Sequence, residues 1–127
     1  MAALNKVQLI GRLGREPEAK TTPKGTAYTR FSVAVDRVWK DKKDTDWFNV
    51  EAWGKLGEIC SKYLKKGQLV YIEGALRTTR YDHEGETRYF TKVVASRMQM
   101  LEWKEAGEEP VLAEETEVSE DEGEYKA

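Results

Sequence analysis

Asp46-Trp47-Phe48-Asn49-Val50-Glu51-Ala52-Trp53-Gly54 is the stretch on which the reading of this 127-residue chain turns. Side chains on a β-strand alternate between faces, so Phe48, Val50 and Ala52 share one side and Trp47, Asn49, Glu51 and Trp53 the other. The first set is uniformly apolar and suits a core. The second combines two indoles with an amide and a carboxylate, which a dry interior could hold only with polar groups unpaired. That face is therefore expected to meet water or a ligand. Two readings stand for its indoles: they pack or cover a subunit contact, or they form a platform on which nucleobases stack, as basic residues nearby in sequence would favour.

Upstream, residues 26–38 alternate Phe31, Val33 and Val35 against Tyr28, Arg30, Ser32 and Ala34, the pattern of another strand. They lead into a polar segment in which Trp39 stands among Arg37, Lys40, Lys42 and Lys43. A tryptophan there has little core to join and is better explained as a contact residue in a loop. Residues 6–13 set Val7, Leu9, Gly11 and Leu13 against Lys6, Gln8, Ile10 and Arg12, a half-buried strand whose glycines suggest a bulge, bend or close backbone approach. Residues 16–25, with Pro17, Pro23 and Gly25, read as a surface connection.

Downstream the period changes. Leu56, Ile59, Cys60, Tyr63 and Leu64 form one apolar stripe on a helix over residues 55–66, and Gly67 fits the residue after its end. Residues 68–76 return to a two-residue period and continue through 77–81, residues 82–86 read as a hairpin loop, and residues 88–96 form a last strand with 97–103 as its extension. Three strands, one helix and two strands in one small domain is the order of an OB-fold. The expected class is thus all-β, a five-stranded Greek-key barrel with one helix between strands 3 and 4, whose sheet face and loops bind oligonucleotides.

Charge is divided unevenly. Residues 1–103 hold 19 Lys and Arg against 13 Asp and Glu, whereas residues 104–127 hold 2 against 10, giving the net charge of −2. The expected organisation is a basic domain over 1–103 and a disordered acidic tail over 104–127, with a polyanion as partner. No apolar window approaches about 20 residues and no secretory leader is evident, which points to a cytoplasmic protein with no membrane contact. The single cysteine, Cys60, excludes an internal disulfide and a cysteine-based metal cluster, and its helical context makes it a packing residue first. His83, the only histidine, falls in a hairpin tip as a solvated residue that could bind metal only adventitiously. Without a second histidine, a reactive-cysteine constellation or a phosphate loop, no enzyme, no cofactor and no metal is expected.

Taken together, Lys6-Val7-Gln8-Leu9-Ile10-Gly11-Arg12-Leu13-Gly14, Gly54-Lys55-Leu56, Tyr63-Leu64-Lys65-Lys66-Gly67, Tyr71-Ile72-Glu73-Gly74, Leu76-Arg77-Thr78 and Met98-Gln99-Met100-Leu101 give a chain that resembles the bacterial single-stranded DNA-binding proteins over about residues 4–101. The resemblance implies a homotetramer of OB-folds that wraps and protects single-stranded DNA, indifferent to its sequence, in replication, recombination and repair. Carried over by position, it makes Trp39, Trp47, Trp53 and Tyr81 the base-stacking residues. Tyr81 stands where a tryptophan is common, Trp53 where a phenylalanine is common, and Phe48 at a position the family often uses in its tetramer contact. Arg12, Arg30, Arg37, Lys40, Lys55, Arg77, Arg80, Arg88 and Lys92 flank the aromatics or lie on expected strands and are the candidates for phosphate contact. Family members usually end in an Ile-Pro-Phe tip that docks replication and repair proteins. Here the end is Glu120-Asp121-Glu122-Gly123-Glu124-Tyr125-Lys126-Ala127, which keeps the acidity and lacks the tip. An OB-fold serving RNA or a protein partner is the alternative reading.

Overall fold

A computed structural model describes residues 2–102 and the backbone of residues 112–114. Its elements run β1 (Val7–Leu13), β2 (Glu18–Thr21), β3 (Ala27–Trp39), β4 (Lys42–Trp53), α1 (Gly54–Tyr63), β5 (Leu69–His83), β6 (Glu86–Met100) and β7 (Leu112–Glu114). Five of the strands close on themselves. β1 pairs with both β3 and β5, β5 with β6, β3 with β4, and a short parallel contact of Val50 with Val93 and Glu51 with Val94 joins β4 to β6. This is the expected OB barrel, with α1 between its third and fourth barrel strands.

Closure demands that β1 cross β3 closely at Leu13↔Val33 and Arg12↔Ala34. Gly11 permits it, since a Cβ there would run into the Ala34 carbonyl and the Val33 side chain. Inside the barrel the apolar halves of the alternating strands meet, with Val33, Val50, Val70, Ile72, Val93 and Met98 at 1 % exposure or less. Each such side chain contributes about 1.5–3 kcal/mol by leaving water. Helix α1 seats Leu56 and Cys60 against this core, and Leu64 follows as the extended residue that ends it. The Thr29 hydroxyl donates to the Gly57 carbonyl at 2.7 Å, fixing the helix to β3.

Several expectations are corrected by backbone pairing that needs no apolar side chain. Residues 16–25 do not form a plain connection: β2 lies within them and pairs with β3 from Glu18↔Arg30 to Thr21↔Ala27. The polar segment around Trp39 is likewise strand, because β3 and β4 pair out to Trp39↔Lys42 and leave only Lys40 and Asp41 in the turn, Lys40 at φ 54. The loop over 82–86 shortens to Glu84 and Gly85, at φ 50 and 80. Gly67 does not follow the helix end directly; the chain turns there and the Gly67 amide donates to the Leu13 carbonyl at 2.9 Å. Tyr63, placed on the apolar stripe by its spacing, is 41 % exposed beyond the edge of the core. Within the segment expected to be disordered, residues 112–114 pair with β6 at Arg97–Gln99, while residues 103–111 and 115–127 lie outside the described residues.

Burial pushes the Cys60 thiol up to about 12, so the thiolate is absent from the native protein near neutral pH. Alkylation by iodoacetamide at pH 8 is therefore expected to follow the unfolding curve in urea, and modification of the folded chain at the rate of a free thiol would contradict this packing.

Candidate nucleic-acid interface

Two antiparallel ribbons leave the barrel, β3–β4 and β5–β6, and both faces of each are wetted near their tips. Strand alternation distributes the aromatic residues on them. Trp47 pairs across to Ala34 on the outer face of the barrel, in line with the Ser32↔Asn49 and Arg30↔Glu51 rungs. Its ring lies over Gly14 and the Ser32 hydroxyl, in the space a Cβ at Gly14 would need, and the side chain as a whole remains 61 % exposed. Trp39, 72 % exposed at the end of β3, has the opposite parity, and Lys40 sits 5.9 Å from its ring centroid. On the second ribbon Tyr81 is 45 % exposed and faces Arg88 across the ladder.

Trp53 departs from the expectation that its indole meets ligand. It is 6 % exposed and stacked on Tyr28, with ring centroids 4.4 Å apart and planes 17° from parallel. At this end of β4 the chain turns into α1 and both faces of the strand are covered, so period-two alternation no longer separates core from solvent. Trp53 is part of the packing of this chain.

An open groove of about 260 Å³ is lined by Arg15, Glu18, Arg30, Asn49, Glu51 and Phe90 among others. The predicted cations, of which Arg30 lines this groove, differ in how free they are. Arg30, Lys40, Lys55 and Arg80 are exposed and have no carboxylate within 4.0 Å among the described residues. Arg37 is held by Asp46 at 2.9 Å and lies 4.0 Å from Asp44, and Arg88 stands 3.6 Å from Glu86. These are solvated pairs that a phosphate can compete for.

Two other cations are corrected by their surroundings. Lys92 donates to Glu51 at 2.9 Å with the two side chains only 13 % and 7 % exposed, a pair too covered to be surrendered to a phosphate at small cost. Arg12 donates to Glu102 at 2.8 Å and to the Gly67 carbonyl at 2.9 Å, and its hydrogen bond to the Glu102 carboxylate raises its pKa. It ties β1 to the segment after β6. Arg77 is half-buried and donates to the Leu76 carbonyl at 3.4 Å.

Three residues escaped the sequence reading: Arg15 and Phe90, which line the groove, and Tyr89, which lies outside it and is 67 % exposed on β6. Alternation within residues 88–96 does put Tyr89 and Phe90 on opposite faces, and that was the available signal. Among the described residues no group of three or more His, Cys, Asp or Glu side chains is placed to hold a metal, and no helix is long and apolar enough to cross a membrane.

A barrel with aromatic ribbons, free cations and an open groove invites comparison with known proteins, and residues 4–101 match the model of the single-strand binding protein family. The chain belongs to that family. It is 45 % identical over 111 residues to single-stranded DNA-binding protein 1 of Chlorobaculum tepidum, covering 82 % of this chain and 68 % of the relative. Single-stranded DNA-binding protein 1 of Xylella fastidiosa is also 45 % identical, over 108 residues, covering 80 % of this chain and 79 % of the relative. Among solved structures, the Plasmodium falciparum SSB complex with ssDNA superposes with a TM-score of 0.68 at 32 % identity, covering 74 % of this chain and 88 % of that one.

Proposed function

We propose that this protein binds, wraps and protects single-stranded DNA without reading its sequence, in replication, recombination and repair, as a binding protein and not a catalyst. The observation that carries the reading is the exposure of Trp39 and Trp47 on one ribbon and Tyr81 on the other, with Arg30, Lys40 and Arg80 exposed along the same two ribbons. Base stacking is worth about 1–3 kcal/mol per ring and is indifferent to base identity because every base has a π-face. Phosphate neutralisation is equally indifferent. Arg30, Lys40, Lys55 and Arg80 are its foremost candidates, with Arg37 and Arg88 available by exchange of surface partners.

Family habit supports assembly as a homotetramer, and the 57 % exposed Ile10 on the outer face of β1 gives a self-association surface something apolar to cover. The division into a binding domain over 1–103 and an acidic segment over 104–127 is supported by the end of the family match at residue 101. A cytoplasmic, nucleoid-associated location follows from the ligand.

The deciding experiment is quenching of indole fluorescence on titration with oligo(dT), compared with duplex DNA and with RNA of equal length. Stronger quenching by oligo(dT) is expected, and none at all would reject the reading. The salt dependence is a second check. Log affinity should fall by about 0.7 per log unit of salt for each phosphate neutralised on a single strand. Arg30→Ala or Lys40→Ala should each flatten the slope by roughly that amount. Lys92→Ala should not flatten it, because its charge is already engaged by Glu51; a change there equal to that of Arg30→Ala would show that the buried pair opens to DNA.

A further inference from the structure

The β5–β6 ribbon carries a ring opposite a guanidinium twice, on successive rungs and therefore on opposite faces. Tyr81↔Arg88 shares its side with Thr79↔Phe90, the side of the groove. The adjacent rung, Arg80↔Tyr89, falls on the other side. Two hydrogen bonds fix that assignment: the Thr78 and Thr91 hydroxyls meet at 3.1 Å two rungs toward the barrel, and the Thr87 hydroxyl donates to Asp82 at 3.3 Å two rungs toward the tip, both on the same face as Arg80↔Tyr89. Tyr89 is more exposed than Tyr81, 67 % against 45 %, and no carboxylate lies within 4.0 Å of Arg80 among the described residues. An open ring and an uncompensated guanidinium directly across a ladder sit close enough for one nucleotide to place its base on the first and its phosphate on the second.

We propose that Arg80 and Tyr89 form a second stacking station on the far face of the β5–β6 ribbon, occupied by a segment of single-stranded DNA distinct from the one on the Tyr81 face. The proposal rests on the function given above. A strand cannot lie on both faces of one ribbon without passing around its tip or edge, so the two segments are separated along the same DNA. Asp82 occupies the tip side of Arg80 on this face and repels phosphate there. The bound backbone accordingly runs on the barrel side, past the Thr78 and Thr91 hydroxyls.

The test compares wild type, Tyr81→Ala, Tyr89→Ala and Tyr89→Phe on two ligands, with folding checked by thermal melting. An oligo(dT) of about 5 nucleotides, near the low end of OB-fold site sizes, fills one face, whereas poly(dT) reaches both. Tyr89→Ala should bind the short oligomer within about twofold of wild type, while Tyr81→Ala binds it roughly fivefold more weakly or worse. On poly(dT), Tyr89→Ala should occlude fewer nucleotides per protomer at saturation and bind at least about fivefold more weakly. Tyr89→Phe, which keeps the flat ring, should restore both. The proposal is overturned if Tyr89→Ala matches wild type on poly(dT), or if it weakens the short oligomer as much as Tyr81→Ala does, which would mean one continuous station. Failure of the wild type to bind either ligand would instead remove the functional reading itself.

Discussion

Trp53→Ala should lower folding stability by about 3–5 kcal/mol, the range for deleting a buried indole. Small domains have roughly 5–15 kcal/mol in total, so this one substitution removes a large share of the margin. The indole is covered, lies flat on Tyr28, and stands where β4 turns into α1, so nothing nearby can collapse into the space it leaves. Urea denaturation measures the loss. A change below about 1 kcal/mol would mean that the ring is not packed as the fold places it. Trp53→Phe should retain most of the stability, because a flat ring still meets Tyr28.

Trp39→Ala and Trp47→Ala are expected to behave in the opposite way. Each should weaken binding to single-stranded DNA by about 1–3 kcal/mol, roughly 5- to 150-fold in Kd, with little effect on melting. Their exposures of 72 % and 61 % leave little core to lose. The double variant should approach the product of the single effects if the rings stack different bases, and additivity is the useful readout. Strong sub-additivity would mean that the two rings share one base. Titration at fixed salt is essential, because the phosphate contribution otherwise moves with ionic strength. Loss of melting temperature comparable to that of Trp53→Ala would show that these indoles are structural after all.

Trp39, Trp47 and Trp53 thus divide into two environments, and only part of that division is legible from residue order. The exposure of Trp39 was legible because Arg37, Lys40, Lys42 and Lys43 surround it with charge, and such neighbours leave it little core to join. Trp47 was identifiable by its parity with Asn49. Trp53 has the same parity as Trp47 and was assigned with it, but parity describes one strand in isolation. What covers a face is decided by other elements, here Tyr28 of β3 and the start of α1. The cations show the same limit. Nothing in the order of residues distinguishes Lys92 from Arg80, yet a parallel contact between β4 and β6 brings Glu51 beside the first and leaves the second open.

By itself, the sequence determined the order of the barrel strands and the helix, the inward faces of β1, β3 and β4, the helix stripe from Leu56 to Cys60, and the division of charge along the chain. These are local properties: apolar periodicity and side-chain charge act within a few residues and survive in any arrangement of the elements. The tertiary structure alone decided how far the ribbons extend, that β2 pairs, which cations keep their charge free, and which aromatic rings are sealed. The physical reason is that backbone pairing of a wetted ribbon requires no apolar residue to announce it, and that burial and ion pairing belong to partners distant in the chain, such as Glu51 with Lys92 or Arg12 with Glu102.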